Sequence, residues 1–127
     1  MIKSGTLGAK LNIASATVLK SALSGATVTA TDLIPAGSLV LGVTARVTTV
    51  ITGATSFDIG DGTDADAFGD NIAVTANTTT TLASYTVTAP AIYTAATSVV
   101  LTANGSNFLT GAVRLTVFYI SLTAHTS

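Results

Sequence analysis

The sequence predicts an all-β protein: a single β-sandwich domain of the jelly-roll or Greek-key type, with about seven or eight strands. Three observations favour this class. Thr and Ala together make up more than a third of the sequence, and β-branched Thr packs well on a pleated surface. Apolar and polar residues alternate along several segments, as in strands with one buried face. Turn-forming Gly, Pro, Asn and Asp recur about every 8–15 residues, which is typical of sandwiches.

The first strands precede a clear turn. Residues 12–19 are predicted as a strand, with a helix over residues 13–23 as the alternative. The β-branched residues and serines of this segment weaken the helix. A second strand is predicted over residues 26–31, and the Pro-Ala-Gly sequence at 35–37 predicts the turn after it.

The clearest strand covers residues 39–51, where apolar and polar side chains alternate. The face predicted to meet the core comprises Leu39, Leu41, Val43, Ala45, Val47 and Ile51. The opposite face comprises Val40, Thr44, Arg46, Thr48 and Val50. This segment is long compared with the usual strand of about 5–6 residues, so Gly42 is a candidate for a bulge.

Four further strands are predicted, over residues 55–59, 79–88, 98–103 and 112–122. In the first of them Phe57 and Ile59 share one side. In the last, one side carries Val113, Leu115, Val117 and Tyr119, and the other carries Arg114, Thr116, Phe118 and Ile120. Two largely apolar faces are expected of a central strand or of a strand buried against another subunit.

Charged residues are scarce. They make up 9 % of the chain, the net charge is −1, and 48 % of the residues are hydrophobic. This composition excludes a disordered chain and provides no basic surface for nucleic acid. The sequence contains no apolar run of about 18–20 residues, the length that a membrane helix requires. The first residues lack the apolar core of a signal peptide. So few charges indicate tight assembly with neighbouring subunits, although Thr and Ser hydroxyls could also solvate the surface.

The chain has no internal boundary rich in Pro, Gly or charge. A single domain is therefore expected over residues 11–127, and residues 1–10 are expected to form an extended arm that reaches a neighbour.

Five of the six aspartates lie within residues 58–70, a Gly-rich segment that we call the Asp loop. Because Ca²⁺ prefers oxygen ligands, Asp61, Asp64, Asp66 and Asp70 are candidate calcium ligands. The EF-hand pattern is not met, since Phe68 occupies the place of an acidic residue and the sequence contains no Glu. The alternative is a polar turn on a solvated rim, and no cofactor is predicted.

Side chains that could perform catalysis are few. The sequence has no Cys, its one His is His125 near the C-terminus, and no Gly-x-Ser-x-Gly motif occurs. A pair of carboxylates could come only from the Asp loop, where similar exposure would leave their pKa values alike. The sequence therefore predicts a protein that is not an enzyme.

Four residues are predicted to contact other subunits: Arg46, Arg114, Phe118 and Ile120. Each arginine is a lone positive charge in a neutral strand. It could pair with an Asp of another subunit or extend over the sheet surface. The two apolar residues belong to the last predicted strand, both faces of which are apolar.

Several segments resemble a β-sandwich module of virion proteins from tailed phages and gene transfer agents. They are residues 39–62 (LVLGVTARVTTVITGATSFDIGDG), 66–69 (DAFG), 100–105 (VLTANG) and 110–120 (TGAVRLTVFYI). That module often forms the C-terminal part of head-spike or fibre-like proteins, and small trimeric capsid decoration (cement) proteins are similar in kind. Longer members carry additional segments before the module, whereas here the resemblance begins near Leu33 and only a short segment precedes it.

The resemblance implies a structural role without catalytic residues. The expected function is that of a phage capsid decoration or cement protein on the outer surface of the head. It would act as a homotrimer that binds the major capsid protein, with no nucleic acid or membrane partner. The alternative is a base or tip module of a head fibre or tail fibre that contacts the host receptor, with the Asp loop at its tip. A bacterial surface domain is a third alternative, which the missing signal peptide disfavours.

Overall fold

A computed structural model of the protein describes residues 9–81 and 91–124, and side chains within residues 14–81 and 91–121. Its eight strands are β1 (Ala9–Lys20), β2 (Thr27–Ile34), β3 (Ser38–Thr52), β4 (Ser56–Gly60), β5 (Gly69–Ala73), β6 (Ala91–Tyr93), β7 (Thr97–Asn104) and β8 (Thr110–Ala124). These residues include no helix that could span a membrane. Of the two alternatives for the first segment, the strand is the one observed.

Strand pairing is nested. β1 pairs with β8, β2 with β7, β3 with β6 and β4 with β5, all antiparallel. β3 also pairs with β8, and β4 with β7. The result is two four-stranded sheets, with strand orders β1-β8-β3-β6 and β2-β7-β4-β5. The predicted all-β sandwich is therefore confirmed.

The hydrophobic core lies between the two sheets. β3 and β8 supply one side of it with Val43, Val47, Val113, Leu115 and Val117. β4 and β7 supply the other side with Phe57, Ile59, Val99 and Leu101, all at 0 % exposure. Phe57 meets Phe108 edge to face, with ring centroids 6.5 Å apart, an arrangement favoured by the quadrupoles of the two rings.

The first half of β3 corrects the predicted assignment of its faces. Val40 is fully buried, whereas Leu39 and Leu41 are only half-buried. The pairing of β3 with β8 shifts register between Val40 and Gly42, as the candidate bulge at Gly42 suggested. Because side chains alternate with a period of two, one inserted residue exchanges the two faces. The predicted pattern therefore holds only from Val43 onwards, where Val43, Ala45 and Val47 face the core.

Three segments differ from the sequence-based expectation, and the first is β6 (Ala91–Tyr93), which no predicted strand covers. Gly69–Ala73 forms β5, although its first residues were predicted as part of a loop. Residues 79–81, predicted to begin a strand, form only an isolated bridge between Arg46 and Thr79. The rest of that predicted strand, residues 82–88, lies outside the described residues. So do residues 1–8 of the predicted arm and His125, whereas Ala9 and Lys10 belong to β1.

Candidate functional site

The Asp loop connects β4 to β5 and is held against the sandwich by an aromatic anchor. Phe68 is buried, and its backbone N–H donates to the carbonyl of Ile59 at 2.7 Å. Its ring lies 6.4 Å from the ring of Tyr93 on β6. The backbone N–H groups of Asp61 and Ala67 both donate to the carbonyl of Asp64. The loop is therefore a folded turn with a buried base.

The Asp61 carboxylate organises the tip of this turn. Its Oδ1 accepts hydrogen bonds from the backbone N–H of Thr63 at 3.0 Å and of Asp64 at 2.9 Å. Its Oδ2 accepts one from the Tyr93 hydroxyl at 2.9 Å. Partial burial by itself raises the pKa of Asp61, but these hydrogen bonds outweigh it and hold the pKa below its ordinary value of 3.8. Burial and the Asp61 carboxylate both raise the pKa of the Tyr93 phenol.

The other acidic side chains of the loop are not gathered around one point. Asp64 and Asp66 are exposed, and a hydrogen bond between their side chains raises the pKa of Asp64. Asp70 Oδ1 accepts a hydrogen bond from the Asn71 side chain at 2.9 Å. Across residues 9–81 and 91–124, no three acidic or histidine side chains are placed to hold a metal ion. The geometry therefore gives no support to a calcium site formed by Asp61, Asp64, Asp66 and Asp70.

A second polar cluster joins β4, β5 and β7 and was not predicted. Asp58 Oδ1 accepts hydrogen bonds from the backbone N–H of Asn71 and from the Asn104 side chain, each at 2.8 Å. Ser56 Oγ donates to Asn71 Oδ1 and accepts from Asn104 Nδ2, each at 3.1 Å. The side chains of this cluster satisfy one another's hydrogen-bonding groups and join the three strands. The residues are up to 48 positions apart, so no local sequence signal could have revealed the cluster.

Tyr93→Phe tests the connection between the Asp loop and β6. We expect it to lower the free energy of unfolding at neutral pH by about 1 kcal/mol, less than is usual for a hydrogen bond to a charged group because both partners are partly exposed. The lowered pKa of Asp61 contributes stability that is lost as the pH falls below 3.8. The raised pKa of Tyr93 contributes stability that is lost as the pH rises above 10.0. The measurement is urea unfolding from about pH 2 to pH 11, across both windows.

The variant should weaken the acid dependence and remove the Tyr93 part of the alkaline dependence. Tyr119→Phe removes the same hydroxyl from β8, away from the Asp loop, and is the matched control. Identical pH profiles for Tyr93→Phe and the original chain would contradict the assigned hydrogen bond.

The outer surface of the β1-β8-β3-β6 sheet contains all four predicted interface residues. Arg46 and Arg114 are direct cross-strand partners on β3 and β8, and both are exposed. Arg46 Nη2 donates to the Asn77 side chain at 3.1 Å. Like charges directly opposite each other destabilise a sheet.

Apolar side chains continue this surface along the same strands. Phe118 and Ile120 are half-buried, and Ile120 is paired with Leu39, which in turn is paired with Ile92. Ile92 is 74 % exposed. We call this surface the arginine face, defined by Arg46, Arg114, Leu39, Ile92, Phe118 and Ile120. β8 lies between β1 and β3, so it is a central strand, one of the two settings expected for a strand with two apolar faces.

Comparisons with known proteins bear on the fold alone. No protein family model matches the sequence. No curated protein matches it either. Among solved structures, the chain is similar to a chain of the cyanophage Pam1 capsid asymmetric unit, with a TM-score of 0.51 and 21 % sequence identity. The similarity covers 95 % of this chain and 91 % of that chain, so the two share a fold over nearly their whole lengths.

Proposed function

We propose that the protein is a structural component of a phage virion that decorates and reinforces the capsid. The observation that carries this proposal is the fold shared with a chain of a cyanophage capsid asymmetric unit over 95 % of the sequence. The match extends across both sheets, since only a small part of the chain lies outside it.

The strand arrangement also supports this role. β1 to β4 run out and β5 to β8 return along them, each pairing with its counterpart. This nested order agrees with a jelly roll, an architecture that viral capsid domains use repeatedly. Fold alone does not determine function, so the proposal also depends on the character of the surface.

The surface suits wide, neutral contacts. With 9 % charged residues, few charges have to lose their hydration when the protein is covered by neighbours. Binding to the assembled lattice alone would stabilise that lattice by mass action. We propose a homotrimer on the outer surface of the head that bridges major capsid protein subunits. The arginine face would contact other subunits, and residues 1–8, the part of the predicted arm that precedes β1, would reach a neighbour.

Gold-labelled antibody against the protein, applied to intact virions and viewed by electron microscopy, tests the proposal. We expect gold spread evenly over the head. Gold confined to a vertex, a fibre or the tail would replace the decoration role with that of a fibre module that contacts the host. Virions without gold would overturn the virion assignment, provided that the antibody labels the purified protein on the same grids.

A further inference from the structure

We propose that the arginine face binds the Asp loop of a second copy of this chain, so that successive copies join head to tail. The inference rests on the proposed self-association and names the two surfaces that make it. A second copy of this chain fits this surface because the chain itself carries the complementary charge.

The arginine pair provides the attraction. Arg46 and Arg114 are the two arginines of the sequence, and the sheet places them directly opposite each other. Opposite positions in an antiparallel pair hold their Cβ atoms about 4.5–5.5 Å apart. The two guanidinium groups are like charges on directly opposite side chains, one of them also bonded to Asn77. A carboxylate that bonds both would offset their repulsion and gain charge-assisted hydrogen bonds.

The apolar part of the face provides the area. Leu39, Phe118 and Ile120 remain only half-buried, and Ile92 is 74 % exposed. Their strands β3, β6 and β8 are adjacent, so these side chains lie together further along the same sheet face, with the Thr44–Thr116 pair between them and the arginine pair. A partner that covered them would exclude water from the ion pairs and strengthen them.

The Asp loop provides the opposite charge. Asp61 is engaged within its own chain through both carboxylate oxygens, whereas Asp64 and Asp66 are exposed at the turn. The mutual hydrogen bond that raises the pKa of Asp64 reflects two carboxylates held close together. An arginine pair from a second copy would favour the ionised form of both.

The two surfaces lie on different parts of the chain. The loop joins strands of the β2-β7-β4-β5 sheet, and the arginine face belongs to the other sheet. A contact between unlike surfaces is heterologous, and such contacts close into rings of three or more subunits or extend as filaments. The inference therefore agrees with a trimeric ring.

Charge reversal in the full-length protein tests this contact. Arg46→Glu with Arg114→Glu keeps two like charges opposite each other but inverts their sign, and Asp64→Lys with Asp66→Lys inverts the loop. Each double variant should weaken self-association by about 100-fold or more, since like charges would then meet across the interface. The quadruple variant, with both surfaces inverted, should restore the oligomer. Sedimentation velocity at about 50 mM and about 0.5 M salt measures the size of the oligomer and how far salt weakens the attraction between the charged surfaces.

Lys20→Glu is the control, because it reverses another charge on the same sheet, and circular dichroism verifies that every variant is folded. Failure of the quadruple variant to recover the oligomer lost in both double variants would overturn the inference. So would a chain that is monomeric throughout, even if it still labels the phage head. If the arginine variant lost capsid binding but kept its oligomeric state, the arginine face would be assigned to a capsid partner. That result would also overturn the inference. None of these results depends on where gold lies on the virion, so the two proposals fail separately.

Discussion

Replacing Phe57 by Ala is expected to lower the free energy of unfolding by about 3–5 kcal/mol, the range for truncating a buried aromatic side chain. Phe57 is at 0 % exposure in the core between the sheets. Its loss removes the edge-to-face contact with Phe108 and leaves a cavity that two hydrogen-bonded sheets cannot easily close. Because a domain of this kind is stable by only about 5–15 kcal/mol, the variant should be close to unfolding.

Urea unfolding followed by circular dichroism measures this effect. Leu109→Ala is the control, since Leu109 is 69 % exposed and surface truncations usually change stability by less than about 0.5 kcal/mol. A loss below about 1 kcal/mol for Phe57→Ala would contradict the placement of this ring in the core.

Replacing Gly60 by Ala should have the second-largest effect, about 2–3 kcal/mol, in the upper part of the range for an overpacked site. A Cβ at Gly60 would collide with the backbone carbonyl oxygen of Asp64 and would lie 2.6 Å from that of Ala65. Backbone atoms cannot rotate away as side chains do, so the turn would have to open. Opening would break the bond from the Asp61 N–H to the Asp64 carbonyl and displace the Asp61 carboxylate from Tyr93.

Gly62→Ala separates this collision from the loss of glycine itself. Gly62 has a φ of +88°, but an added Cβ would meet only Val100 Cγ2 at 3.9 Å. Gly62→Ala should therefore lower the free energy of unfolding by about 1 kcal/mol, from backbone conformation alone. The phenol pKa of Tyr93 can be measured by ultraviolet titration of each glycine variant with and without Tyr93→Phe, the difference being the signal of Tyr93. This pKa should fall towards 10.0 in Gly60→Ala but not in Gly62→Ala. Equal losses of stability for the two variants would contradict the steric argument.

Only part of the arginine face could be predicted from the sequence. The isolated charges of Arg46 and Arg114 in neutral strands were evident from the sequence, as was the apolar character of Phe118 and Ile120. Their adjacency was not, because it depends on the register between β3 and β8, two strands that lie far apart in the sequence. The prediction of an interface at these residues stays a prediction, now with a geometry attached.

In the Asp loop the clustering of residues was visible in the sequence, but their partners in the fold were not. Its aspartates were obvious, and their clustering in sequence suggested a calcium site. In the folded chain the Asp61 carboxylate accepts a hydrogen bond from the Tyr93 hydroxyl, 32 residues away in the sequence, while Asp64 and Asp66 are exposed. Backbone N–H groups and a phenol are donors that no spacing of acidic residues reveals, so the hydrogen-bonded turn around Asp61 could not be predicted from the pattern. The calcium site stays a prediction.

Local alternation and turn residues were sufficient to determine the class of fold, most strand segments, and a surface poor in charge. These properties depend on neighbours in the chain, where the period of two and the preferences of Thr, Gly and Pro act directly. Tertiary structure alone decided the exchange of faces at the Gly42 bulge, the β5 strand and the pairing of Arg46 with Arg114. Each depends on register between distant strands, because one inserted residue in one strand changes which side chains meet across the sheet.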